Sequence, residues 1–222
     1  GNDFSLYKKN TLYRRIERRM AIHQLARIDG YVRYLRENPQ EVELLFRELL
    51  IGVTSFFRDP AAWVSLQEQA LPELLAANPD GNPLRAWVAG CSTGEEAYSL
   101  AMVFREAVEC LAPEHRPTLQ IFATDLDPDA IDKARAGYYP ANIAADVTAE
   151  QLGRFFVEEG NGFRIGKEIR EMVVFAPQNL IMDPPFTKLD LLTCRNLLIY
   201  LGAPAQKSLL PMFHYALNAD GC

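Results

Sequence analysis

Two adjacent carboxylates, Glu95 and Glu96, follow an apolar run and a turn in the stretch "WVAGCSTGEEAYSLA", residues 87–101. Strand-like run, tight turn, then helix is the layout of a nucleotide-binding loop, yet the glycine spacing of such loops is absent. Carboxylates at a helix N-terminus would also repel a pyrophosphate. A ligand with hydroxyls or a positive charge, and without phosphate, fits better. A second apolar run ends in "ATDLD", which puts Asp125 and Asp127 at its tip. An acid there commonly accepts hydrogen bonds from the two hydroxyls of a ribose. A third run stops at Gln178-Asn179 and a fourth at Cys194-Arg195-Asn196. Each feature has a plainer reading. Gly90 and Gly94 would only make a turn, Glu95 and Glu96 would only complement the helix dipole, and Asp125 would cap the helix of "DPDAIDKARAG". Asn179, Arg195 and Asn196 would be ordinary loop polar groups.

The elements that must position these residues are legible as periodicity. "LRAWVAG", "LQIFATD", "EMVVFAPQ" and "KLDLLTC" are short, apolar and rich in branched or aromatic residues, with helical stretches between the first three. That alternation predicts an α/β fold, a doubly wound and mostly parallel Rossmann-like sheet whose ligands sit at the carboxyl ends of the strands. "FFVEEGNGFRIGKEI" carries a Gly160-Asn161-Gly162 turn between strand-like arms and predicts a small β-hairpin subdomain at about 154–176. Before the sheet, "TLYRRIERRMAIHQLA", "YVRYLRENPQ" and "EVELLFRELLIGV" have helical spacing, with breaks expected at Asp29-Gly30 and Asn38-Pro39. The organisation read from this is a helical N-terminal domain at 1–59 and a linker helix and turn at 60–82. A ligand-binding domain follows at 83–222. With a ribose, an adenine, a sulfonium and no phosphate, S-adenosylmethionine suits such a site better than a nicotinamide dinucleotide.

Composition removes other classes. Of 222 residues, 49% are hydrophobic and 23% charged, which argues against disorder. No apolar run is long enough to span a membrane, so neither insertion nor a signal peptide is expected, and Gly1 reads as a cloning remnant. Four cysteines without paired spacing predict reduced thiols and a cytoplasmic setting, and three scattered histidines predict no metal site. The net charge of −6 is unevenly spread. Residues 1–36 hold nine Lys or Arg against Asp3, Glu17 and Asp29, a balance of +6 that leaves −12 for the remainder. A basic end on an acidic chain predicts a negatively charged partner. Nucleic acid is the rival partner, disfavoured by the acidic remainder and the lack of an exposed-aromatic stacking pattern.

Four motifs in order, "GVTSFFRDP", "WVAGCSTGEEAYSLAM", "IFATDLDPDAIDKARAGYY" and "DLLTCRNLLIYL", resemble the signatures of the chemotaxis receptor methyltransferases, the CheR family. The resemblance runs from about Phe4 to Asn218, and the arginine-rich opening looks most like proteins that fuse this enzyme to a receptor methylesterase. It implies an all-helical N-terminal domain, a doubly wound catalytic domain and a small β-subdomain. It also implies methyl transfer from S-adenosylmethionine, leaving S-adenosylhomocysteine, to glutamate side chains on chemoreceptor cytoplasmic helices. By position, Thr54, Arg58, Glu96 with Glu95, Asp125, Asn179, Leu180, Arg195 and Asn196 should line the cofactor site. Arg58 and Tyr200 should stand at the reacting groups. Arg14, Arg15, Arg18 and Arg19 would present a basic face to the receptor's carboxylates.

The chain also departs from the family pattern. Gly52 stands where relatives often have Asn, and the sequence stops at "NADGC", so a truncated sheet edge is expected. The hairpin is short, which favours recognition without a receptor tether. The alternative reading is a catalytically weak S-adenosylmethionine sensor or scaffold module. A third is a methyltransferase acting on nucleic acid or small molecules.

Overall fold

The computed structural model describes residues 4–50 and 52–222. Asp3, counted in the charge balance, and Gly1 lie outside the described residues. Two units are distinguished: residues 1–51 with 196–208, and residues 52–195 with 209–222.

In the first unit, α1 (Lys9–Ile22), α2 (Ile28–Glu37) and α3 (Pro39–Leu49) are amphipathic helices. Pro39 at the first helical position separates α2 from α3, as expected from Asn38-Pro39. Asp29-Gly30 does not break the chain. The break falls earlier, where Gln24 takes a left-handed φ of 55°, and Asp29 complements the dipole in the first turn of α2. The 196–208 segment joins this unit through backbone pairing. Lys8 N–H donates to the Tyr200 carbonyl at 2.9 Å and Gly202 N–H to that of Leu6 at 2.7 Å.

The buried centre of this unit is Glu41 on α3, 3% exposed. Arg19 of α1 donates to both of its oxygens, at 2.9 and 2.5 Å, and the Tyr31 hydroxyl donates at 2.7 Å. His23 Nε2 lies 2.8 Å away. Arg15 is anchored to Glu48, donating to its carbonyl at 2.6 Å. This corrects the expectation of a uniform basic face: the Arg19 side chain is only 12% exposed, whereas that of Arg18 is 71% exposed. Buried charge must be paired, and α3 supplies the partner. Arg14 and Arg18 remain on the surface, Arg18 reaching Glu48 at 3.2 Å.

Hydrogen bonds, from Arg19 above all, hold the Glu41 carboxyl down at about 2, below its unfolded range. A depressed carboxylate stabilises the fold above its unfolded pKa, and that contribution is lost as pH falls toward the folded value. Across this window it amounts to about 3 kcal/mol. The helical unit is therefore expected to lose stability between about pH 4.5 and pH 2. Denaturant titrations at stepped pH should show Glu41→Gln starting less stable at pH 7 and losing little more on acidification. An equally steep acid loss in the variant would remove Glu41 as the cause.

In the second unit, α4 (Pro60–Ser65), a π turn (Leu66–Ala70) and α5 (Leu71–Ala76) lead into the sheet. The chain then follows β1 (Leu84–Ala89), α6 (Glu95–Glu109), β2 (Leu119–Asp125), α7 (Pro128–Ala136), β3 (Tyr138–Pro140), α8 (Ala149–Phe155), β4 (Phe156–Glu159) and β5 (Gly162–Ile165). After these come α9 (Lys167–Arg170), β6 (Val173–Pro177) and β7 (Leu191–Thr193), and then α10 (Ala203–Ala216), of which residues 203–208 are grouped with the first unit and 209–216 with the second. The main sheet is parallel, in the order β6-β2-β1-β7. The chain steps outward from β1 through β2 to β6, then returns to the other side of β1, so strand order reverses beside β1. α6 packs its buried face, including Leu100, Phe104 and Val108, into the core formed with the sheet. The predicted hairpin is present as β4 and β5. It is one strand larger than expected, because β3 pairs with β5 to give a three-stranded antiparallel sheet.

Candidate active site

The reversal of strand order makes the carboxyl ends of β1, β2 and β7 the place where a ligand has room. Gly90 N–H and Cys91 N–H both donate to the Thr124 carbonyl, binding the β1 turn to the end of β2. Ser92 then takes a left-handed φ of 49° and Gly94 one of 96°, and α6 starts at Glu95. A turn this tight leaves no space at Gly94, where a Cβ would approach Ala134 Cβ to 2.9 Å and the Phe175 ring to 3.1 Å.

Glu95 and Glu96 part company here. The Thr93 hydroxyl lies 2.9 and 2.7 Å from the two oxygens of Glu95, holding that side chain within its own turn. Glu96 reaches across to β7, where the Thr193 hydroxyl donates to Oε1 at 2.8 Å and Arg195 Nη1 stands 3.7 Å from Oε2. Burial pushes both carboxyls above the usual range. Thr93 opposes the rise at Glu95, and Thr193, Arg195 and Arg58 oppose it at Glu96. Glu96 is thus the acid that faces the switch point.

Asp125 is not the cap of α7. That cap is Asp127, whose carboxylate accepts from Asp129 N–H at 2.9 Å. Asp125 instead bridges the two strand tips, with Oδ2 accepting from Ser92 N–H at 2.8 Å and Oδ1 from Asp127 N–H at 3.0 Å. Each carboxylate oxygen keeps acceptor capacity beyond one such bond. Burial raises this carboxyl too, against the backbone donors.

The segment before α4 borders the same turn. A Cβ on Gly52 would lie 3.5 Å from Ser92 Oγ, an ordinary contact, so glycine is not required there. Thr54 is half-buried on this segment. Phe57 N–H donates to Ser99 Oγ at 3.1 Å, and Arg58 Nη1 to the Val53 carbonyl at 2.6 Å. At the β6 tip, Gln178 N–H donates to the Asp125 carbonyl at 2.9 Å. Asn179 Oδ1 closes a local turn by accepting from Ile181 N–H at 3.1 Å, and Leu180 is half-buried beside it.

Arg58, Glu96, Thr193 and Arg195 thus form one cluster, with Asp125 and Ser92 at the neighbouring strand tip. Asn179 and Leu180 follow the next strand. Asn196 and Tyr200 are grouped with the helical unit. Ser92 and Thr193 were missed from sequence. Both stand where an apolar run ends, the very rule that exposed Asp125. The Ser92 hydroxyl is buried and has no hydrogen-bond partner among the described residues. An orphaned donor beside an acid at a strand tip is what a ribose or amino-acid group would satisfy, so the residues fit a phosphate-free nucleoside such as S-adenosylmethionine.

Fold and site together define a Rossmann-like domain for a nucleoside cofactor. Residues 52–222 match the CheR methyltransferase SAM binding domain and residues 1–50 the CheR methyltransferase all-alpha domain, so the chain belongs to the CheR methyltransferase family. It is 47% identical, over 99% of its length, to an uncharacterized 104.1 kDa protein of Rhodobacter capsulatus, but spans only 23% of that relative. It is 31% identical to a chemotaxis protein methyltransferase of Listeria monocytogenes, covering 100% of this chain and 81% of the relative. With chemotaxis protein methyltransferase 2 of Pseudomonas aeruginosa the identity is 33%, over 96% and 76%.

Proposed function

We propose that this chain transfers the methyl group of S-adenosylmethionine to glutamate carboxylates of chemoreceptor cytoplasmic helices, as a cytoplasmic enzyme of sensory adaptation. The observation that carries this reading is the pairing of acids at adjacent strand tips, Glu96 and Asp125, within a chain matched end to end by both domains of the family. When bound, the cofactor supplies an electrophilic methyl on a sulfonium. A receptor carboxylate, ionised at neutral pH, would be the nucleophile toward that methyl, with the carbon–sulfur electron pair leaving to sulfur. No general base is needed, which suits a site built of carboxylates, guanidiniums and hydroxyls.

The chain's own groups bind and orient. Asp125 takes the ribose hydroxyls, with the Ser92 hydroxyl as a further donor. Glu96 places negative charge beside the sulfonium, and its bonds to Thr193 and Arg195 fix its rotamer. Thr54, Asn179 and Leu180 are assigned to the remainder of the nucleoside site, and Asn196 is assigned to it by its match to the family motif alone. Arg58 has five N–H donors, of which the Val53 carbonyl takes one, and orients the incoming carboxylate. Such positioning is worth on the order of 7–11 kcal/mol in well-oriented systems. Tyr200 is assigned to the methyl group by its match to the family motif. The 104.1 kDa relative supports reading this chain as one module of a longer signalling protein, a methylesterase fusion among the candidates.

Receptor docking is assigned to Arg14 and Arg18, which are exposed, Arg18 even while it reaches Glu48, whereas Arg15 is half-buried on the Glu48 carbonyl and Arg19 is turned inward onto Glu41. Reversing Arg14 and Arg18 to Glu is expected to raise the KM for a receptor fragment about tenfold at low salt. S-adenosylhomocysteine affinity, read by calorimetric titration, should stay unchanged. A KM equal to that of the unmodified chain would place the docking face elsewhere.

A further inference from the structure

The backbone around Arg58 is held in a conformation it would not adopt unaided. Phe57 and Asp59, on either side of it, take left-handed φ angles of 48° and 54°, and neither is glycine. Such residues persist only where their surroundings over-determine them, and they gather at functional sites. Here the restraint converges on one atom. The Arg58 carbonyl accepts from the Trp63 indole N–H at 2.9 Å and also from Arg195 Nη2. The Arg195 guanidinium lies over the Trp63 ring, 5.2 Å from its centroid, and reaches Asp59 Oδ2 at 3.3 Å as well as Glu96. Trp63 is buried, and the Phe57 ring meets it edge-on at 5.5 Å. On the other side, Phe57 N–H is fixed to Ser99 Oγ, which itself donates to the Glu95 carbonyl at 2.8 Å on α6. One indole therefore touches the backbone of Arg58, the ring before it and the Arg195 guanidinium just after β7.

We propose that Trp63 is a positioning residue: with Arg195 it clamps the Arg58 carbonyl, and so fixes where the Arg58 side chain stands relative to Glu96 and the reacting carboxylate. The inference rests on the methyl-transfer reading above and deepens it, because Trp63 is assigned no contact with cofactor or substrate. Its ring alone would serve packing. The N–H is what ties the backbone, and it is the part a phenyl ring lacks. Tryptophan combines a face for the Arg195 guanidinium with an edge N–H donor for the carbonyl.

The test separates ring from N–H. Trp63→Phe keeps an aromatic face and removes the donor. Replacement of Trp63 by benzothienylalanine, in which sulfur stands for the N–H, keeps the bicyclic shape should the phenyl variant fold poorly. Amide exchange at Phe57 and Ala62 should accelerate at least fivefold in either variant, while β1 and β2 amides keep their protection. Methyl transfer to a receptor fragment should lose about tenfold in kcat, the scale of one buried hydrogen bond. The affinity for S-adenosylhomocysteine and the KM for the fragment should stay within twofold. Unchanged exchange would overturn the clamp, whatever the activity. Faster exchange with full kcat, or a parallel loss of cofactor affinity, would make Trp63 structural only. The unmodified chain run alongside reads the reaction itself, so failure of transfer there counts against the proposed function and not against the clamp.

Discussion

Asp125→Ala is expected to weaken S-adenosylhomocysteine binding by on the order of 100-fold. The carboxylate is the acid at the tip of β2, and two charge-assisted bonds to a ribose are together worth about 3 kcal/mol. Calorimetric titration of the unmodified and variant chains reads this directly. The alanine also strands the N–H groups of Ser92 and Asp127, so part of its effect passes through the turn that carries Glu95 and Glu96. Asp125→Asn distinguishes the two routes. It keeps the side chain's shape and one acceptor oxygen, leaves one of the two N–H groups without its acceptor, and should bind about tenfold more weakly with a smaller fall in thermal midpoint than the alanine. Undiminished affinity in both variants would take Asp125 out of the site.

The second large effect is expected at Gly94. Any side chain there meets two penalties at once. Its φ of 96° lies where L residues are strained, and its Cβ would press on Ala134 and Phe175, both of them buried. Left-handed strain costs about 1–2 kcal/mol and overpacking about 1–3 more. Gly94→Ala should therefore lower the thermal midpoint by roughly 10 °C for a chain of this size. Because α6 begins at the next residue, relief of the clash must shift Glu95 and Glu96, so cofactor affinity should fall as well. Gly153→Ala is the control. It sits in α8 with nothing within 4 Å of a new Cβ and should leave both quantities unchanged or slightly improved. If Gly94→Ala melted like the control, the tight β1 turn would not be what positions the acids.

The main sheet could be read from sequence because each of its strands is a short apolar run, and burial on both faces of a parallel sheet imposes that pattern. The place of the candidate site could be read for the same reason, since side chains that follow such runs must collect at one edge. That logic delivered Asp125 and the Arg195 tip, and the separate fates of Glu95 and Glu96 needed only a partner from β7. It could not reveal the burial of Arg19. The helical pattern of α1 leaves arginines on several sides, and only the distant Glu41 on α3 decides which of them turns inward. β3 escaped notice because three residues after Gly137 carry no alternation, and they form a strand only by borrowing β5. The return of residues 196–208 to the helical unit depends on backbone pairs with Leu6 and Lys8, which leave no trace in composition. Trp63 lies in the linker helix read at 60–82, and a hydrogen bond from its indole to a carbonyl leaves no mark on periodicity.

The central claim is transfer of a methyl group to a carboxylate, and the chemistry of the product tests it most directly. The chain would be incubated with methyl-labelled S-adenosylmethionine and a chemoreceptor cytoplasmic fragment, and the fragment then isolated and exposed to mild alkali. A glutamate methyl ester hydrolyses under these conditions, so the fragment is expected to carry label that alkali releases as volatile methanol. Label that resists alkali, or an unlabelled fragment beside a chain that binds S-adenosylhomocysteine, would contradict it.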